Sequence, residues 1–121
     1  MFLTLNHQKL DAYLFSKILV VECYKFTKQL PVDEKYGMAS QIRRAALSVH
    51  LNIAEGASRK SSNERKRYFE IARGSIIEID AALDVAKELL YLDNYDTEKL
   101  GDCILKTFKI ISGLIKENSH Q

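Results

Sequence analysis

Hydrophobic residues recur along the chain at steps of three and four, the spacing of one face of an α-helix. We predict a first helix from Lys9 to Leu30, ended by Pro31, because proline lacks the backbone N–H that a helix needs. We predict a second helix from Asp33 or Glu34 to Ala57. The first presents Ala12, Phe15, Leu19, Cys23, Phe26 and Leu30, and the second presents Met38, Ile42, Ala45, Val49 and Ile53.

Two further helices follow the polar segment from Ala57 to Ser62. Ser61, followed three residues later by Glu64, forms the pattern of a capping box and marks the start of the third helix. Asp96 is the predicted N-cap of the fourth. The third helix presents Phe69, Ala72, Ile76, Ile79, Leu83, Ala86 and Leu90, and the fourth presents Leu100, Ile104, Phe108, Ile111 and Ile115. We therefore expect an all-α fold, an antiparallel up-down-up-down four-helix bundle, as a single domain over residues 1–121.

Composition narrows the class of protein. No apolar run approaches the roughly 20 residues of a membrane helix, and the start of the chain lacks the basic region of a signal peptide, so we expect a cytoplasmic protein without membrane contact. Cys23 and Cys103 show no metal-binding or disulfide spacing and are expected in the core.

The first and fourth helices carry more apolar residues than one buried face uses. Large exposed apolar patches are unusual on monomers, so we expect a homo-oligomer. The surplus residues are Leu10, Tyr13, Leu14, Val20, Val21, Tyr24, Leu105, Ile110 and Leu114.

The net charge of +2 conceals an uneven distribution. Residues 40–75 hold eight Lys and Arg against three Asp and Glu, whereas residues 76–121 hold five against nine. Cations in the first turns of a helix oppose its dipole, so this cluster favours an anionic ligand, of which the phosphate backbone is the commonest. The candidate nucleic-acid contacts are Arg43, Arg44, Arg59, Lys60, Arg65, Lys66 and Arg67. The alternative is a solvated face that only aids solubility. Tyr36 and Tyr68 would either stack on unpaired bases or simply pack.

A polar stripe crosses the second and third helices. It comprises Gln41, Ser48, Asn52 and Glu55 on the second helix and Arg73, Ser75 and Glu78 on the third. We interpret it as a hydrogen-bond network that fixes helix register, in preference to a catalytic site. Within it we expect an ion pair between Glu55 and either Arg44 or Arg73.

No pattern in the chain is typical of an enzyme. The spacing Glu-x-x-His of di-metal bundles occurs once, from Glu117 to His120, without the second copy that such a site needs. The other histidines, His7 and His50, lie far away in the sequence, and no glycine-rich phosphate loop is present. We expect no enzymatic activity, no metal and no cofactor.

Two motifs carry a family resemblance. The first runs from Pro31 to Arg59 and contains Glu34-Lys35-Tyr36-Gly37, Gln41-Ile42-Arg43-Arg44-Ala45-Ala46 and Asn52-Ile53-Ala54-Glu55-Gly56; the second is Ile71-Ala72-Arg73-Gly74-Ser75 with Glu78. The chain resembles the four-helix-bundle family of proteins encoded in intervening sequences of large-subunit (23S) ribosomal RNA genes. The resemblance implies a bundle assembled as a homopentamer, as in the distantly similar accessory proteins of diversity-generating retroelements, which bind nucleic acid. It implies no enzymatic activity.

Together these features predict a non-enzymatic, homo-oligomeric helical bundle that binds RNA or DNA mainly by neutralising phosphates. The alternative is a protein-interaction scaffold whose basic end docks an acidic protein partner.

Overall fold

Four α-helices make up most of the structure, a computed structural model that describes residues 1–119. The helices are α1 (Asp11–Lys28), α2 (Met38–Ala57), α3 (Ser62–Glu88) and α4 (Glu98–Glu117). Short 3-10 helices, Asn6–Lys9 and Val32–Glu34, precede α1 and α2. Residues 1–119 contain no β-strand, which confirms the all-α prediction. His120, part of the Glu-x-x-His spacing, and Gln121 lie outside the described residues.

Each helix packs against two neighbours, α1 against α2 and α4, and α3 against α2 and α4. The contacts between α1 and α2 run in opposite sense: Arg43, early in α2, bonds to Thr27, late in α1. His50, late in α2, bonds to Ser16, early in α1. These two helices are therefore antiparallel, as the short connection between them requires.

The other neighbouring pairs show the same reversal. Between α2 and α3, Gly56 near the end of α2 lies against Phe69 early in α3. Between α3 and α4, Arg65 at the start of α3 bonds to Asn118 just beyond α4. Between α1 and α4, Glu22 late in α1 pairs with Lys99 at the start of α4. The arrangement is the predicted antiparallel four-helix bundle.

Most residues of the predicted apolar faces form the core. The largest fully buried side chains come from all four helices and include Leu19, Phe26, Ile42, Ile53, Phe69, Ile76, Ile79, Leu100 and Ile111. Five residues of the predicted faces are not fully buried: Phe15, Met38 and Leu83 are half-buried, Phe108 is 38% exposed and Leu90 is 68% exposed. Cys23 and Cys103 are buried free thiols, and burial raises their pKa values to about 12 and about 11. They are thus unreactive core residues.

The predicted start of α2 at Asp33 or Glu34 is wrong, because the helix begins at Met38. Gly37 precedes it with non-helical dihedral angles, φ −108° and ψ −107°. Glu34 Oε1 accepts a hydrogen bond from the Met38 N–H at 3.2 Å, and Glu34 Oε2 accepts one from the Tyr91 hydroxyl at 3.0 Å. Glu34 therefore caps α2 and ties its start to the α3–α4 connection.

The third helix ends earlier than its apolar series suggests. Leu90 lies beyond the helix with φ 66°, in the left-handed region that favours glycine, and is 68% exposed. The Leu90 N–H donates to Lys87 O at 3.0 Å and the Tyr91 N–H to Ala86 O at 2.9 Å. These two bonds define a Schellman C-terminus with leucine in the position that glycine usually takes.

The predicted caps of α3 and α4 are both hydrogen-bonded. Ser61 Oγ accepts a bond from the Glu64 N–H at 3.1 Å, so α3 begins where predicted. Asp96 Oδ1 accepts from the Glu98 N–H at 3.0 Å, although Thr97 is the residue that directly precedes α4. Asp96 thus caps the helix from one position further away.

Candidate functional site

The seven basic candidates lie on two surfaces. Arg43 and Arg44 project from the first half of α2, whereas the other five lie at the connection from α2 to α3. Arg44 and Arg59 are about 20 Å apart along the direction of the helix, at 1.5 Å per residue. The structure therefore does not bring the candidates into one continuous patch, and each surface has its own geometry.

The first surface is an open groove of about 640 Å³ between the end of α1 and the start of α2. Its cations are Lys28, Lys35, Arg43 and Arg44, and none of the described residues that line it is Asp or Glu. The remaining lining residues are Tyr24, Thr27, Leu30, Pro31, Val32, Tyr36, Ala39, Ser40 and Leu47. We call this surface the basic groove. Its charge and its concave shape make it suited to an anionic ligand.

Arg43 is fixed in the basic groove by contacts with α1. Its Nε donates to Thr27 Oγ1 at 2.8 Å, and its guanidinium lies 4.6 Å from the centre of the Tyr24 ring. Thr27 Oγ1 in turn donates to Tyr24 O at 3.1 Å. A cation held in this way loses little side-chain entropy when it binds a ligand.

Tyr36 and Tyr68 have different environments. Tyr36 lies at the edge of the basic groove and is 88% exposed, with the Lys35 Nζ 5.4 Å from its ring centre. Tyr68 is half-buried, and the Arg59 guanidinium lies 5.0 Å from its ring centre. Tyr68 therefore packs, whereas the Tyr36 ring is open to a ligand.

The second surface is the α2–α3 connection, where the Arg59 charge is already neutralised. Arg59 NH2 donates to Glu55 Oε2 at 2.8 Å and to the Tyr68 hydroxyl at 3.2 Å. Tyr68 and then Glu55 raise the pKa of Arg59 above its ordinary value, so the guanidinium stays charged. The predicted pairing of Glu55 with Arg44 or Arg73 is wrong, because Glu55 instead pairs with Arg59, four residues later in the chain.

Arg65 holds this connection together. Its NH1 donates to Lys60 O at 2.6 Å and Arg59 O at 3.1 Å, its NH2 to Ser62 Oγ at 3.0 Å, and its Nε to Asn118 Oδ1 at 2.9 Å. Four of the five guanidinium N–H donors are thereby used inside the protein. This geometry assigns Arg65 a structural role in place of the predicted phosphate contact.

Three basic side chains remain for a ligand at the connection. Lys60 and Arg67 are exposed, and Lys66 is half-buried. We call these three residues the connection cluster. The connection cluster has three cations, compared with four in the basic groove.

Of the seven residues of the polar stripe, Ser48, Asn52 and Ser75 are hydrogen-bonded to one another. Ser75 and Ser48 join α3 to α2 through their hydroxyls at 2.9 Å, and Asn52 Nδ2 donates to Ser48 O at 2.8 Å and Ser48 Oγ at 3.2 Å. The other four lie outside this set: Gln41, Glu55 and Glu78 are exposed and Arg73 is half-buried. The bonded part is small and links two helices, as expected of a register-fixing contact.

A histidine contact that the sequence did not predict joins α1 to α2. His50 Nδ1 lies 2.7 Å from Ser16 Oγ, and the His50 ring centre lies 4.4 Å from that of Tyr13. Burial, then Lys17 and His7, lowers the pKa of His50 below its ordinary value. Ser16 is completely buried, so this Ser–His pair offers no nucleophile to a substrate.

Within residues 1–119, no three His, Cys, Asp or Glu side chains cluster where they could hold a metal ion. No helix in this range has the length and apolar character needed to span a bilayer.

The fold and its surfaces define a small helical-bundle protein with a basic groove. Comparison with protein families gives a match to the family described as 23S rRNA-intervening sequence protein, over residues 8–113. The match includes α1, α2 and α3 entirely and most of α4. The chain belongs to this family, as the sequence motifs indicate. A search of curated proteins gives no match.

Proposed function

We propose that the protein is a non-enzymatic nucleic-acid-binding protein whose basic groove neutralises backbone phosphates. The observation that carries this proposal is the set of four cations, Lys28, Lys35, Arg43 and Arg44, around one concave surface lined by no described carboxylate. At the α2–α3 connection, in contrast, Arg59 is paired with Glu55.

The groove cations would act by displacing the counterions of the nucleic acid. Arg43 is positioned in advance by Thr27 and Tyr24, and Arg44 is exposed beside it. Contacts of this kind fix the position of the backbone and carry no sequence information by themselves. The connection cluster would add a second, weaker set of contacts about 20 Å away.

We further propose that the protein self-associates. Several large apolar side chains are exposed on the bundle: Leu14, Ile18 and Val21 of α1, Ile77 of α3 and Leu105 of α4. Leu105 is 72% exposed, and burial in an interface would remove this surface from water. The family resemblance suggests five copies, which would multiply the number of basic grooves. Light scattering should give a mass above that of one chain, and Leu105→Glu should lower it; a monomeric wild-type protein would contradict this proposal.

Fluorescence anisotropy with a labelled RNA and a matched DNA tests the binding proposal. The variant Lys35→Glu with Arg44→Glu reverses two groove charges. The control Lys9→Glu with Lys109→Glu makes the same change in net charge at exposed positions outside the groove. We expect the groove variant to bind at least 10-fold more weakly than the control, because two phosphate contacts become repulsive.

Two results would contradict the proposal. Equal affinities of the groove and control variants would show that binding depends only on net charge. If wild-type protein binds neither nucleic acid at low salt, the basic groove has another partner. Recovery of one acidic protein in pull-downs after nuclease treatment would then favour the protein-interaction scaffold.

A further inference from the structure

Accepting the proposed function, we infer that the basic groove selects unpaired nucleotides, with a base stacked on Tyr36 and its flanking phosphates held by Lys35 and Arg44. Unpaired bases in RNA–protein complexes commonly stack on aromatic rings, with basic side chains along the backbone. Three features of the groove carry this inference: its apolar lining residues, the exposure of the Tyr36 ring, and the cations that line the same groove.

The lining of the groove is part apolar and part charged. Its apolar residues are Leu30, Pro31, Val32, Ala39 and Leu47. A duplex presents phosphates and sugars on its outside, so it would neutralise the cations of the groove and leave these apolar side chains in water. An unpaired nucleotide has a flat, largely apolar base joined to a charged phosphate, and it matches both parts of the groove.

Tyr36 is the exposed aromatic residue of the groove, and most of its surface is open to solvent although Lys35 Nζ lies 5.4 Å from its ring centre. Its side chain is 88% exposed, and neighbouring Val32 is 83% exposed. Both residues lie in the segment between α1 and α2, next to the helix-capping Glu34. The Tyr24 ring, in contrast, is occupied by the Arg43 guanidinium at 4.6 Å. Tyr24 therefore supports a phosphate contact, whereas Tyr36 is left to stack on a base.

Lys35 lies close enough to Tyr36 to hold the same nucleotide, and Arg44 lines the same groove. A base stacked on Tyr36 would have its phosphates beside these two residues. The hydroxyl of Tyr36 is not needed for stacking, so phenylalanine should substitute for it.

The test measures, by fluorescence anisotropy, the affinity for two RNAs: single-stranded oligouridine, and the duplex of oligouridine and oligoadenosine. Both affinities are measured for the wild-type protein and three variants. Tyr36→Ala removes the ring and Tyr36→Phe keeps it. Phe2→Ala removes an equally exposed aromatic ring that does not line the groove, since Phe2 is 89% exposed and precedes α1. We expect wild type to prefer the single strand. Tyr36→Ala should weaken single-strand binding about 10-fold and leave duplex binding unchanged, whereas Tyr36→Phe and Phe2→Ala should match wild type.

The outcomes separate this inference from the proposed function. If single-strand and duplex binding are equal and Tyr36→Ala alters neither, while Lys35→Glu with Arg44→Glu weakens both, the groove binds phosphates without selecting unpaired bases, and the inference fails alone. If Phe2→Ala weakens binding as much as Tyr36→Ala, the ring at Tyr36 has no special role. If neither RNA binds wild type at low salt, both proposals fail.

Discussion

At Gly56, α2 packs tightly against α3, and replacing this glycine with alanine should destabilise the bundle. A Cβ at this position would lie 2.8 Å from Phe69 Cε1, and 3.0 Å from both Phe69 Cδ1 and Tyr68 Cβ. Such distances lie well inside van der Waals contact. Because Phe69 is only 2% exposed, its ring can move only by displacing other core residues.

Two opposing effects set the magnitude for Gly56→Ala. Overpacking of a core costs about 1–3 kcal/mol. Removing a glycine from a helix interior returns about 1 kcal/mol through helix propensity. We expect a net loss of up to about 2 kcal/mol in the free energy of unfolding, equivalent to a decrease of up to about 8 °C in Tm for a chain of this size.

Gly74 provides a matched control in the exposed part of α3. A Cβ at Gly74 would meet no heavy atom within 4 Å, so Gly74→Ala should gain the propensity term and stabilise the protein by about 0.5–1 kcal/mol. Urea unfolding followed by circular dichroism measures both. If the two variants have equal stability, α2 and α3 do not approach as closely at Gly56 as described, and the reasoning is refuted.

Three further variants test individual contacts by the same unfolding assay. Arg65→Met should lower the free energy of unfolding by about 2–3 kcal/mol because it removes four internal hydrogen bonds. The control Arg67→Met, at an exposed position, should change it by less than about 0.5 kcal/mol. Similar losses of stability in the two variants would contradict the structural role of Arg65. Leu90→Gly should stabilise the protein by about 0.5–1 kcal/mol, because glycine adopts the left-handed backbone at this position without strain. Leu90→Ala keeps a Cβ and therefore the strain, so it should not stabilise the protein. If Leu90→Gly destabilises the protein, the backbone at this position is not strained. His50 has a lowered pKa in the folded state, caused by burial and Lys17, so its neutral form favours folding. The contribution of His50 to stability is therefore complete above its ordinary pKa of 6.5 and is lost as the pH falls toward its pKa in the folded protein. His50→Gln should reduce the difference in the urea midpoint of unfolding between about pH 8 and about pH 5. If that difference is unchanged, the pH dependence comes from other groups.

The helices were predictable because their signals are local. The regular steps in α3 and the Ser61 cap depend on residues within a few positions of one another. The start of α2 was less predictable, since Gly37 takes non-helical dihedral angles and Glu34, which the prediction placed in the helix, lies before it and caps it. Leu90 continued the apolar series but took the left-handed position of a Schellman motif, which usually requires glycine.

The candidate site was predictable only in part. Arg43 and Arg44 follow from the charge distribution along the chain. Lys28 and Lys35 do not, because they join the groove only when the end of α1 packs against the start of α2. Arg65 resembles its basic neighbours in sequence, and its internal role depends on Asn118, which the bundle brings from the far end of the chain.

The central claim, phosphate neutralisation in the basic groove, is tested most directly by the salt dependence of RNA binding. We predict that log Kd for single-stranded RNA rises with log salt, and that the slope for Lys35→Gln with Arg44→Gln is smaller than for wild type by about 1.4, since each lost phosphate contact removes about 0.7. Lys9→Gln with Lys109→Gln should keep the wild-type slope. Identical slopes for wild type and the groove variant would contradict the account, because the groove cations would then contact no phosphate.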